Sequence, residues 1–163
     1  MAVTKNDYML TWVSLVHAGT HLPAELGRHL QEELGLSLAE QDLLKQLMLG
    51  GGELKLSALS QRIYLSKAGI TKMMDRLEKA GFVKRVPSKT DRRVIMARLT
   101  KRGAKALERS FQLLGPWVEA NLRQHLDDNQ LLALKDALEA LLKGHDRWAG
   151  QMAHLAGGKS SKD

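Results

Sequence analysis

Between Leu56 and Leu99 the chain is divided so tightly that few folds can hold it. In LSALSQRI (56–63), Leu56, Leu59 and Ile63 fall on one side of a short helix. Only Tyr64 and Leu65 intervene before Ser66, a good N-cap for a second helix reaching about Ala80. The buried side of that helix is expected to be Ile70, Met73 or Met74, and Leu77. Its other face carries Lys67, Thr71, Lys72, Asp75, Arg76 and Lys79. Gly81 ends it, and FVKRV (82–86) and VIMARL (94–99) then read as two strands around a polar loop, with Pro87 closing the first. The order helix, tight turn, helix, hairpin makes a compact middle.

The flanks are helical. Residues 4–34 carry two apolar stripes, Met9, Leu10, Val13 and Val16, then Leu22, Leu26, Leu30 and Leu34. Gly19, Thr20 and Pro23 lie between them and predict a kink or two abutting helices. Gly35 is a C-terminal stop, and Ser37 with Glu40 forms a capping box for the next helix. GGG at 50–52 stops that helix; no Lys-Ser/Thr follows and no strand precedes it, so it is a turn and not a phosphate loop. After the hairpin, Thr100 caps a helix through Leu107, Phe111, Leu114, Val118 and Leu122, which Pro116 should bend. Asp127 and Gln130 box the last helix, where Leu131, Leu134, Leu138, Leu141, His145 and Trp148 make a heptad-like seam. The small polar tail GGKSSKD is expected to be disordered.

These seams are too apolar to stand alone, which predicts burial against a second copy. The expected class is mainly α with a small β-hairpin wing: a winged helix-turn-helix lobe plus a helical dimerisation region. The expected division is residues 1–35 as an N-terminal dimerisation segment, 36–105 as the lobe, 106–150 as C-terminal dimerisation helices and 151–163 as a flexible tail. The dimer contact is expected on Leu131, Leu134, Leu138, Leu141 and Trp148.

Charge is unevenly placed. Residues 54–105 hold fifteen Lys and Arg against Asp75, Glu78 and Asp91, a balance of +12, while the rest of the chain is −5. A basic block in an otherwise acidic chain implies a polyanionic partner. With no cysteine, disulfides, thiolate metal sites and thiol redox switches are excluded. No apolar run approaches membrane-span length; YMLTWVSLV (8–16) lacks a basic cluster ahead of it and a clear cleavage site, so a cytoplasmic protein is expected.

Two helices joined by a short turn, the second basic at its start, suit entry into a DNA major groove. There Lys67 and Lys72 reach outward, Gly69 allows close approach, and Ser66 and Thr71 offer short hydrogen-bonding groups. Arg76 and Lys79, further along, suit the phosphate backbone. The loop SKTDRRV (88–94) places guanidinium groups at a hairpin tip, where Arg93 can enter the adjacent minor groove with Lys89 and Arg92 on flanking phosphates. Asp91 would be repelled by phosphate and is expected to fix the tip by accepting bonds from loop amides or an arginine.

LSALSQRIYLSKAGITKMMDRLEKAGFVKR, followed by DRR and LTKRG, resembles the MarR family of winged-helix transcriptional regulators. The resemblance covers roughly residues 35–110, with residues 66–80 as recognition helix and 82–99 as wing. The family's Asp-x-Arg wing signature falls on Asp91 and Arg93. The resemblance implies a homodimer on a pseudo-palindromic operator, double-stranded DNA as partner, and often repression relieved by a small-molecule effector.

A histidine pair and the function class itself stay open to a second reading. His17 and His21, four apart, could be half a metal site, but Gly19 and Pro23 disturb the helix geometry and no third ligand is evident; polar or effector-pocket residues fit better, with Trp12 beside them. No nucleophile elbow, dinucleotide loop or Ser/His/Asp set appears, so no catalytic residue, cofactor or metal is expected. A winged-helix module for protein contact would not need Lys67, Lys72 and Arg93 all basic, and a metal-responsive regulator is a refinement of the DNA-binding reading.

Overall fold

A computed structural model describes residues 2–63, 65–88, 90–91 and 93–143. Lys89, Arg92, His145, Trp148 and the expected tail therefore lie outside the described residues. The chain divides into two units, one ending at Trp117 and the other beginning at Val118.

The first unit starts with α1 (Lys5–Leu34), opened by a capping box between Thr4 and Asp7 and closed by left-handed Gly35. It is one helix through Pro23, so the expectation of two abutting helices is corrected. A proline removes only one intrahelical donor, and the helix continues on either side of it. Helix α2 (Leu38–Leu49) begins with the Ser37–Glu40 box. The turn at Gly51 and Gly52, both with positive φ, leads into a short strand, β1 (Glu53–Lys55), that the sequence did not announce. Helices α3 (Leu56–Arg62) and α4 (Lys67–Lys79) follow, then β2 (Val83–Pro87), β3 (Ile95–Leu99) and α5 (Lys101–Arg123), which contains Pro116.

The sheet is antiparallel with β3 in the middle, order β1-β3-β2. Ala97 faces both Leu54 and Arg85 across the ladder and is fully buried. Around it the core gathers Leu30, Leu36, Leu43, Leu44, Leu47, Leu59, Ile70, Met74, Leu77, Val83 and Leu107. Each large side chain so buried contributes about 1.5–3 kcal/mol of transfer free energy. Of the expected α4 stripe, Met74 is the core residue and Met73 sits at its edge.

Where α5 meets the hairpin, Thr100 Oγ1 donates to the Gly81 carbonyl at 2.7 Å and accepts from the Gly103 amide at 3.0 Å. Gly103 is required there: an added Cβ would lie 2.0 Å from the Phe82 carbonyl oxygen. By contrast, the first half of α1 is exposed on every side, including Tyr8, Met9, Leu10, Trp12, Val13, Leu15 and Val16.

In the second unit, α6 (Asp128–Leu142) opens with the Asp127–Gln130 capping box. Leu131 and Leu138 are half-buried, whereas Leu132, Leu134 and Leu141 are exposed. Among the described residues no helix is long and apolar enough to cross a membrane.

Candidate nucleic-acid interface

The α3–turn–α4 unit places the start of α4 at the surface. Ser66 caps it, its Oγ accepting from the Gly69 amide at 3.1 Å, which leaves the hydroxyl proton free to donate outward. Thr71 differs: its hydroxyl donates to the Lys67 carbonyl at 2.9 Å, so what it offers outward is an acceptor. Lys67, Thr71 and Lys72 are exposed, whereas Ile70, Met74 and Leu77 of the same helix are buried. Among the described residues neither lysine forms a salt bridge. Gly69 is half-buried, and a Cβ there would meet only ordinary contacts, Ser66 Oγ at 3.4 Å and Leu65 Cβ at 3.6 Å.

Arg76 is not a free cation. Its Nε lies 3.1 Å from Glu40 Oε1 and its Nη2 donates to Glu40 Oε2 at 3.1 Å, so the second half of α4 is gripped by the N-terminus of α2. Spacing could not reveal this pair, which joins residues from separate helices.

Behind α4 stands Arg85 of β2. Its Nη1 reaches Glu78 Oε2 at 2.6 Å and its Nη2 reaches Asp75 Oδ1 at 2.7 Å. Burial works against the charge, but the two carboxylates outweigh it and hold the guanidinium above its ordinary value. The acids of the basic block are thus spent internally. Glu53 is likewise paired with Arg98 at 2.7 Å across the β1–β3 ladder.

At the hairpin tip, Asp91 Oδ1 accepts from the Arg93 amide at 3.0 Å and from its Nε at 3.2 Å. Those bonds, the amide first, and the field of Lys55 hold the Asp91 carboxyl below its ordinary value against a slight opposing effect of burial. The loop closes through Val94 N–H to the Asp91 carbonyl at 2.9 Å and Ser88 N–H to the Val94 carbonyl at 2.8 Å. Beyond this anchor the Arg93 side chain is 92% exposed. Both ends of the Asp91–Arg93 contact are legible in the sequence, whereas Glu40 is legible there only as a cap and Arg85 only as one more basic residue.

The remaining candidates lie elsewhere. Trp12, His17 and His21 are exposed on α1, with the imidazole centroids 5.7 Å apart. Among the described residues no group of three or more potential ligand side chains is placed to hold a metal ion. Leu131, Leu134, Leu138 and Leu141 share α6.

Comparison with known proteins gives this arrangement a context. Residues 36–95 match the model of the MarR family. The HTH-type transcriptional regulator YfiV of Bacillus subtilis (strain 168) is 38% identical over 86 residues, covering 45% of this chain and 54% of that protein. The HTH-type transcriptional regulator FarR of Neisseria gonorrhoeae is 30% identical over 101 residues, covering 62% of this chain and 68% of that protein. The chain spans between 54% and 68% of the length of the curated relatives it matches. Among solved structures, Sco3205 of Streptomyces coelicolor, a MarR family transcriptional regulator in complex with DNA, superposes with a TM-score of 0.74 at 25% identity, over 90% of this chain and 91% of that one.

Proposed function

The chain belongs to the MarR family, and from that membership we propose that it is a cytoplasmic homodimeric repressor that reads a pseudo-palindromic DNA operator and is released by a small-molecule effector. The observation that carries the DNA reading is the division of labour among charges. Asp75, Glu78, Asp91 and Arg76 are consumed in holding the lobe together, while Lys67 and Lys72 on α4 and Arg93 on the hairpin stay available to an anion.

In this reading α4 lies in the major groove. Lys67 and Lys72 meet phosphates or base edges, Ser66 donates, Thr71 accepts, and Gly69 lets the backbone approach. The hairpin sends Arg93 into the flanking minor groove, aimed by Asp91, with Lys89 and Arg92 on neighbouring phosphates. Exposed apolar side chains on α1 and α6 support assembly of two copies: on α1 Trp12, Val13 and their neighbours, and on α6 Leu134 and Leu141. Residues 1–35 and 106–150 serve that assembly and 36–105 the DNA. Effector release acts through the separation of the two recognition helices, which must match about one helical turn, 34–36 Å.

Arg93→Ala tests the hairpin's part. Weaker binding together with loss of preference for A·T-rich flanks is expected; unchanged affinity and preference would remove the minor-groove role.

A further inference from the structure

Arg85 is bound to α4 at three points along one stripe. Besides Asp75 and Glu78, its Nη2 donates to the Thr71 carbonyl at 3.1 Å, and its own amide donates to Glu78 Oε1 at 2.8 Å. Thr71, Asp75 and Glu78 follow at helical spacing on the side of α4 turned to β2. Arg85 stands in the middle of β2, opposite Ala97, and β2 ends at Pro87 where the tip begins. One planar guanidinium therefore ties the helix that carries Lys67 and Lys72 to the strand that carries the loop of Asp91 and Arg93. The chain between α4 and β2 is only Ala80–Phe82, which keeps the two elements close but leaves their mutual angle to side chains.

We propose that Arg85 is a positioning residue for DNA recognition, holding α4 and the wing at one fixed angle so that major-groove and minor-groove contacts are made together. The inference rests on the DNA-binding reading above. Its physical content is that a fork is needed and a charge is not enough. Lysine would neutralise Asp75 and Glu78 but, as a point charge, cannot hold both carboxylates and the Thr71 carbonyl in one geometry.

Arg85→Lys therefore separates angle from charge. Binding of wild type, Arg85→Lys, Arg93→Ala and the double variant is measured on duplexes sharing a selected half-site but differing in A·T- or G·C-rich flanks, at several salt concentrations. Arg85→Lys is expected to lose the flank preference as fully as Arg93→Ala does. It should keep half-site discrimination and the salt slope, and adding Arg93→Ala to it should cost little more. In the free protein, amide exchange at Ser88 and Val94 should quicken several-fold while α2 stays protected. Retained flank preference, strictly additive losses, or unchanged exchange at Ser88 and Val94 would each overturn the positioning role. Wild-type protein that selects no sequence would fail the DNA reading itself, a result distinct from any of these and one that removes the inference's premise.

Discussion

Arg76 and Glu40, thirty-six residues apart, form a two-pronged ion pair in which the carboxylate is nearly buried and the guanidinium half-exposed. Glu40 Oε2 also accepts from the Ser37 amide and hydroxyl, both at 2.9 Å. One carboxylate thus caps α2 and grips α4, so Arg76 is part of the lobe's frame.

Removing Arg76 leaves that buried carboxylate with Ser37 alone. Arg76→Ala is expected to cost about 1–3 kcal/mol of folding stability, the penalty for under-satisfying a buried polar group. Thermal denaturation measures it. If Arg76 serves the frame, the salt slope of DNA binding stays unchanged; a fall of about one in that slope would make it a phosphate contact.

Gly69 separates fold from function in the opposite sense. The structure has room for a methyl group there, so Gly69→Ala should preserve or raise stability, by up to about 1 kcal/mol from helix propensity. On the proposed docking of α4 DNA affinity should nevertheless fall, because the added group would intrude between backbone and duplex. Denaturant unfolding and fluorescence anisotropy on the same preparation check both halves. Unchanged affinity would place Gly69 away from the DNA.

For Asp91 the sign of the pH effect follows from its bonds to Arg93. A carboxyl lowered in the folded state contributes order to the tip above its unfolded value of about 3.9, and that contribution is lost as pH falls through the lower folded value. An NMR titration of the Asp91 carboxyl should have its midpoint below about 3.9, with the Arg93 amide shifting in step. A midpoint at or above that value would mean that the tip is not anchored. Asp91→Asn should weaken DNA binding despite removing a negative charge.

Charged residues in place of Leu138 and Leu141 should yield a monomer in analytical ultracentrifugation and abolish tight binding to full-length sites. Val13→Asp in α1 should do the same. A monomer that still binds full-length sites tightly would show that these apolar faces serve packing within one chain.

Local signals in the sequence were dependable. Ser37–Glu40, Ser66, Thr100 and Asp127–Gln130 cap the helices they were expected to cap, because a cap is set by residues within one turn of it. The helix–turn–helix and hairpin followed from periodicity and the stops around them. Strand β1 was invisible: three residues after a glycine turn carry too little pattern, and they become a strand only because β3 offers an edge. Pro23 suggested a break that the continuous α1 does not show. The pairs Glu40–Arg76 and Arg85 with Asp75 and Glu78 join different elements, so no spacing rule points to them.

Selection of binding sites from random duplexes, repeated at two salt concentrations, tests the central claim most directly. A dimeric operator reader should recover an inverted repeat whose half-sites lie about one helical turn apart, 34–36 Å, and keep its preference as salt rises. Recovery of no motif, with affinity collapsing in salt, would contradict the account and reduce the basic block to a non-specific phosphate binder.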